Sequence, residues 1–166
     1  MRPTHAVWNI VRHSANGEVV GRKRLQKLVH LVKLGGEPVA AYFRIHHFGP
    51  FSYEIAEAMA SLERLGHLTE RYEPRGMFQT FQYVYKANPE REFQTEDFRK
   101  STYDSLWKLE KFTTPVLEAA STVGYFLKEE NLSRQDAFEQ ASRMKPFLAD
   151  PIVRKRVDEV LDLLRI

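Results

Sequence analysis

Apolar residues recur at helical spacing in three stretches of the first 66 residues. This period is typical of helices with one buried face. Asn16-Gly17 and Gly35-Gly36 follow the first two stretches with residues that tolerate left-handed geometry. Ser52, a favoured N-cap residue, precedes the third. The pattern predicts one helix over 5–15, with an apolar face of Val7, Ile10, Val11 and Ala15. A second helix begins near Gly21, and its apolar face is Leu25, Leu28, Val29 and Val32. A third runs from Ser52 to Gly66, with Ile55, Ala58, Met59, Leu62 and Leu65 facing inward.

Two regions alternate with a period near two, which is typical of strands. The first is a short strand within 41–48, which Gly49-Pro50 is predicted to break by forming the turn before the third helix. The second is a hairpin with strands over 67–73 and 77–86, joined by the turn Pro74-Arg75-Gly76. Helix, helix, strand, helix and hairpin is the element order of a winged helix.

Residues 88–92 form a polar break, which we take as a boundary between domains at 1–88 and 95–166. Four helices are predicted in the second segment, because each start carries a capping residue or a proline at the first helical position. They open at Thr95 or Glu96, at Thr114-Pro115, at Ser133 and at Asp150-Pro151. The predicted fold is mainly α with a small β-hairpin: a winged-helix-like N-terminal domain plus a C-terminal helical bundle.

Composition narrows the class of protein. Hydrophobic residues make up 43% of the 166 residues, which is enough for a core, and cysteine is absent, which excludes disulfides. No apolar run approaches the roughly 20 residues that cross a bilayer, and the N-terminus lacks the apolar run of a secretory signal. We therefore expect a cytoplasmic protein without membrane contact.

Basic residues concentrate in the first segment. Residues 1–94 contain 13 Lys and Arg against 9 Asp and Glu, whereas 95–166 contain 12 against 13. The predicted nucleic-acid-binding residues are Arg22, Lys23, Arg24, Lys27 and, at the hairpin tip, Arg75. Lys23 and Lys27 share a helix face that is predicted to contact phosphates, or else to be a solvated face. Replacing both is expected to leave the fold intact.

Other features argue against base reading and catalysis. The third helix carries three glutamates, which repel phosphates, and the hairpin aromatics are predicted to form a core or interface, or else a stacking platform. The glutamates are Glu54, Glu57 and Glu63, and the hairpin aromatics are Phe78, Phe81, Tyr83 and Tyr85. His46 and His47 point to opposite strand faces, and His30 lies off the apolar stripe. No catalytic, cofactor or metal motif is present, so we predict no enzyme and no cofactor.

Two phrases carry a resemblance to a known family. Residues 21–29 read GRKRLQKLV and residues 48–52 read FGPFS. In this order and distance they resemble the YwgA family, and more distantly the Panacea domain of SocA-like antitoxins, over residues 5–88. The resemblance implies a winged-helix-like fold without an established activity. The SocA-like relatives imply protein binding and toxin neutralisation as much as DNA binding.

Two functions remain open at this point. The first is a nucleic-acid-binding winged-helix regulator that contacts mainly the phosphate backbone. The second is a protein-interaction module, antitoxin-like or adaptor-like, that binds a protein partner without nucleic acid. In either case we expect the C-terminal helices to pack tightly on the first domain or to form a homodimer, with Trp107, Tyr125 and Phe126 as contact residues.

Overall fold

The computed structural model describes residues 1–75, 80–91 and 93–166. The helices are α1 Pro3–His13, α2 Arg22–Leu34, α3 Tyr53–Arg64, α4 Lys100–Leu109, α5 Thr114–Lys128, α6 Arg134–Met144 and α7 Pro151–Leu163. The strands are β1 Glu18–Val20, β2 Arg44–His46, β3 Gly49–Phe51, β4 Leu68–Arg75 and β5 Thr80–Ala87. The predicted mainly helical fold with small antiparallel sheets is confirmed. No helix in this part of the chain is long and apolar enough to cross a membrane.

Three helix starts follow the capping chemistry that the sequence predicts. Ser52 Oγ accepts from the Ile55 N–H at 3.3 Å, and Ser133 Oγ accepts from the Asp136 N–H at 3.2 Å. Asp150 caps α7 in the same way through the Ile152 N–H. These side chains satisfy backbone donors that have no partner within the helix.

The start of α4 differs from its prediction at Thr95 or Glu96, because α4 begins at Lys100. The residues before it use their backbone groups in tertiary contacts. Asn9 Nδ2 donates to the Glu96 carbonyl at 2.7 Å, and the Arg99 N–H donates to Glu37 at 3.0 Å. These bonds hold the segment in an extended path along α1 and α2.

The main sheet has three antiparallel strands in the order β1-β5-β4. The predicted hairpin is present, with Tyr72 opposite Tyr83. Pro74 and Arg75 still pair with β5 instead of turning, and Gly76 lies outside the described residues. The strand β1 was not predicted, since its three residues are too few for a visible alternation. It pairs Val19 with Tyr85 on β5.

A second, two-stranded sheet corrects the predicted role of Gly49-Pro50. Strands β2 and β3 pair antiparallel with Ile45 opposite Pro50, so the turn lies at His47-Phe48. Gly49 and Pro50 therefore belong to β3. The φ of Gly49 is +81°, and its Cα lies against Thr122 of α5, so a close approach to that helix requires glycine here.

One continuous apolar core joins both segments of the chain. Helix α5 lies at its centre, with Ala119, Ala120 and Val123 fully buried. Phe126 packs at the edge of this core. Trp107 is 65% exposed, and its indole N–H donates to the His13 carbonyl at 3.1 Å. The C-terminal helices therefore pack on the first segment.

Candidate functional site

The two phrases that carry the family resemblance meet in space. Gln26 Nε2 donates to the Ser52 carbonyl at 2.9 Å, and the Ser52 N–H donates back to Gln26 Oε1 at 3.1 Å. At the next residue of the helix, the Lys27 ammonium donates to the Pro50 carbonyl. Helix α2 is thereby tied to β3 and to the start of α3. Gln26, Lys27 and Ser52 are all buried at this junction.

A cavity of about 590 Å³ lies beside this junction. Its walls come from α2, the β2–β3 hairpin, α3 and the main sheet, and they are mostly apolar. The aromatic rings of Phe48 and Tyr53 border it and are 57% and 64% exposed. Its lining includes Lys23, Lys27, Phe51, Ala56, Met59 and Ala60. The volume lies within the range of small-molecule pockets.

Arg22 belongs to a closed polar network at the sheet side of the cavity. Its guanidinium binds Glu70 at 2.8 Å and the Tyr85 hydroxyl at 2.8 Å, and it lies 3.8 Å from the centre of the Tyr83 ring. The Tyr85 hydroxyl donates to Glu70. Burial, together with this bond, raises the pKa of Tyr85. Burial alone would raise the pKa of Glu70, but the bonds from Arg22 and Tyr85 lower it. The charge of Arg22 is therefore already paired.

Lys27 is buried, which corrects the predicted solvent-facing surface of α2. Only 2% of its surface is exposed. The pKa of Lys27 is lowered to about 8, mainly by burial; the charge of Glu118 opposes this shift, and the charges of Lys145 and Lys23 contribute to it. An ammonium in such a place costs free energy unless its donors and its charge are compensated. Removing Lys27 is therefore expected to change stability, contrary to the prediction from sequence.

Lys23 and Lys145 lie beside one carboxylate, that of Glu118, whose charge also acts on Lys27. Lys145 forms an ion pair with Glu118 and is itself buried. The Lys23 ammonium lies 4.0 Å from Glu118 and 4.0 Å from the centre of the Phe48 ring, and the Lys23 side chain is 53% exposed. The charge of this one carboxylate thus acts on three amines.

The remaining predicted residues lie elsewhere. Arg24 points toward the α4–α5 connection, where its guanidinium donates to the Phe112 carbonyl at 2.9 Å and the Glu110 carbonyl at 2.8 Å. The side chain of Arg75 lies outside the described residues. Of the five predicted residues, the structure brings Arg22, Lys23 and Lys27 to the cavity and directs Arg24 to an internal contact.

His30 is fully buried although it lies off the apolar stripe of α2. Its Nδ1 lies 2.8 Å from the Ser121 hydroxyl, and its ring packs on Phe43. Burial, with the charges of Lys27 and Lys33, lowers the pKa of His30 well below its ordinary value. Across residues 1–75, 80–91 and 93–166, no group of three or more His, Cys, Asp or Glu side chains is placed to hold a metal ion.

Sequence comparison supports the YwgA-like resemblance over part of the chain. No protein-family model matches the chain, and no solved structure matches it. Over 72 residues the chain is 38% identical to a protein described as uncharacterized protein YwgA of Bacillus subtilis strain 168. The match covers 43% of this chain and 42% of the length of YwgA. The chain is therefore similar to YwgA over less than half of either protein.

Proposed function

We propose that this protein is a protein-interaction module that binds an apolar segment of a partner protein in the cavity between α2 and α3. The observation that carries the proposal is the cavity itself, with its volume of about 590 Å³ and its mostly apolar walls. Protein interfaces take most of their binding energy from a few apolar or aromatic side chains inserted into such pockets.

The rim of the cavity supports a protein partner. Phe48 and Tyr53 are large aromatic residues that remain exposed beside it. Tyr42, just before the β2–β3 hairpin, is exposed as well. Exposed aromatic residues of this kind are enriched at protein interfaces. A partner that inserts one side chain into the cavity would also cover the rim.

The use of the basic residues also favours a protein partner over nucleic acid. Arg22 is paired with Glu70, Arg24 binds backbone carbonyls, and Lys27 is buried. Few of the predicted phosphate contacts therefore remain free. The exposed glutamates of α3 repel a phosphate backbone.

A pocket-filling variant tests the proposal. Peptides selected from a random library on the wild-type protein are measured by fluorescence anisotropy against wild type, Ala60→Trp and Ala149→Trp. Ala60 lines the cavity, whereas Ala149 is exposed in the short helix before α7 and serves as the matched control. We expect binding to weaken at least about tenfold with Ala60→Trp and to stay unchanged with Ala149→Trp. Equal binding to all three proteins contradicts the proposal.

A winged-helix regulator that binds nucleic acid is the second candidate. It is favoured by the element order, in which α3 precedes the β4–β5 hairpin, and by the sheet order β1-β5-β4. This is the connectivity of a winged helix, in which β4 and β5 would be the wing. Antitoxin-like neutralisation of a toxin, by contrast, is one form of the first proposal.

A further inference from the structure

We propose that the partner segment carries a carboxylate beside its apolar anchor, and that this carboxylate binds Lys23 and Lys27. The inference rests on the proposed function, because it describes the chemistry of the segment that the cavity accepts. It follows from the charges and hydrogen-bond donors on the α2 wall of the cavity.

The N–H donors of Lys27 favour a carboxylate as its binding partner. A lysine ammonium has three N–H donors. The Pro50 carbonyl is the acceptor that the structure gives it among the described residues. The side chain lines the cavity although it is almost fully buried. Buried donors without acceptors are costly, and a carboxylate in the cavity would accept from them.

Positive charge is in excess on the α2 wall. The Glu118 carboxylate lies beside Lys23 and Lys145 and acts on Lys27 through its charge, and its short ion pair is with Lys145. Of the two carboxylates that line the cavity among the described residues, Glu70 is occupied by Arg22 and Tyr85, and Glu63 lies on α3. Lys23 and Lys27 therefore have no ion pair with a carboxylate of the cavity wall among the described residues. Lys23 also lies in the first turn of α2, where the helix dipole favours negative charge.

The side of the cavity formed by the hairpin and α3 is mainly apolar. Phe51, Ala56 and Met59 line it, together with the polar side chains of His46, His47 and Glu63. A suitable occupant therefore combines an apolar group with a carboxylate a few ångströms away. Within a protein chain, an aromatic or aliphatic residue next to Asp or Glu has this chemistry, and its flanking residues would cover the rings of Phe48 and Tyr53.

A double-mutant cycle tests the inference. From the selected peptides, one whose binding is lost with Ala60→Trp is chosen, and each of its acidic residues is replaced by the corresponding amide. We expect one replacement to weaken binding to wild type by about tenfold or more. The same replacement should change binding to Lys23→Gln or Lys27→Met by no more than about twofold, because the charge it pairs with is gone.

The controls separate the two proposals. Lys155→Gln, an exposed residue of α7, should bind both peptides like wild type. Lys23→Gln keeps the test valid if Lys27→Met fails to fold, since Lys23 is half exposed. If amide peptides bind as tightly as acidic ones while Ala60→Trp still abolishes binding, the carboxylate inference fails and the proposed function stands. If no peptide binding responds to Ala60→Trp, both proposals fail.

Discussion

Gln26 and Ser52 exchange two hydrogen bonds between a side-chain amide and a backbone, at 2.9 Å and 3.1 Å. Both residues are buried. The same serine caps α3 through its hydroxyl, so Gln26 fixes the position of the α3 N-terminus relative to α2. This pair explains in physical terms why the two phrases of the sequence occur together.

We predict that Gln26→Leu lowers the free energy of unfolding by about 1–3 kcal/mol, because it leaves the buried Ser52 N–H without an acceptor and removes one of the two donors to the Ser52 carbonyl, which keeps the bond from the Ala56 N–H. Gln26→Glu keeps the acceptor and loses the donor, so its effect should also be destabilising. The measurement is urea denaturation. Gln135→Leu, at an exposed position of α6, is the control and should change stability by no more than about 0.5 kcal/mol. Equal effects at the two positions would show that the Gln26 bonds contribute nothing.

The buried Lys27 makes stability depend on pH in the alkaline range. Its pKa is lowered from 10.5 to about 8 in the folded protein. Between these pH values the unfolded chain binds a proton that the folded chain has released, so the free energy of unfolding rises with pH. The contribution is complete above the unfolded pKa and is lost as the pH falls through about 8. We expect a rise of about 2–3 kcal/mol from this residue.

The comparison with Lys27→Met isolates that contribution. Tyr85 has the opposite influence, because its raised pKa makes stability fall once the unfolded tyrosine ionises. Wild type and Lys27→Met are therefore compared by urea denaturation at matched pH values from 7.5 to 10, so that the effect of Tyr85, which is common to the two proteins, cancels. The stability of wild type relative to Lys27→Met should increase over the range. A constant difference would mean that Lys27 has an ordinary pKa.

The sequence reveals Ser52 as a cap but not Lys27 as a buried residue, and the difference is one of distance along the chain. The capping bond of Ser52 joins residues 52 and 55, and its residue types suffice to predict it. The partners of Lys27 come from β3 and α5. Eight consecutive residues of α2, from Leu25 to Val32, are buried, because α1, α3 and α5 surround this helix. An amphipathic pattern cannot reveal a helix that is covered on all sides.

Gly49 is predicted to be intolerant of any side chain. Its φ of +81° disfavours other residues, and a Cβ would overlap the Thr122 hydroxyl. We expect Gly49→Ala to lower the free energy of unfolding by about 2–4 kcal/mol, the sum of backbone strain and this overlap. In the Thr122→Ala background the same change should cost less, because only the backbone strain remains. Thermal denaturation of the four proteins measures the coupling, and full additivity would exclude the overlap.

Arg24 is predicted to stabilise the fold through geometry more than through charge. Two separate nitrogens of its planar guanidinium bind the carbonyls of Phe112 and Glu110, whereas a lysine would have to reach both from a single nitrogen. Arg24→Lys should therefore lower the free energy of unfolding by about 1–3 kcal/mol. Arg12→Lys, at an exposed position of α1, is the matched control and should be neutral. Chemical denaturation checks both. A neutral Arg24→Lys would mean that charge alone is needed.

Salt dependence decides between the two candidate functions. Each phosphate contact by Lys or Arg contributes about −0.9 to the slope of log affinity against log salt on duplex DNA. From the sequence, three to five contacts and a slope of about −3 to −4.5 are expected. In the structure, Lys27 is buried, Arg22 is paired with Glu70 and Arg24 binds backbone carbonyls. Lys23, half exposed and 4.0 Å from Glu118, is the member of the α2 cluster whose internal ion pair is the longest, so we expect it to be the one that contacts phosphate. Lys23→Gln should then flatten the slope by about 0.9, and Lys27→Met should leave it unchanged. Lys155→Gln serves as the control for a distant positive charge.

If wild type binds neither duplex nor single-stranded nucleic acid at low salt, the regulator proposal fails. Peptide binding would then be the remaining explanation of why Phe48, Lys23 and Lys27 line the same cavity.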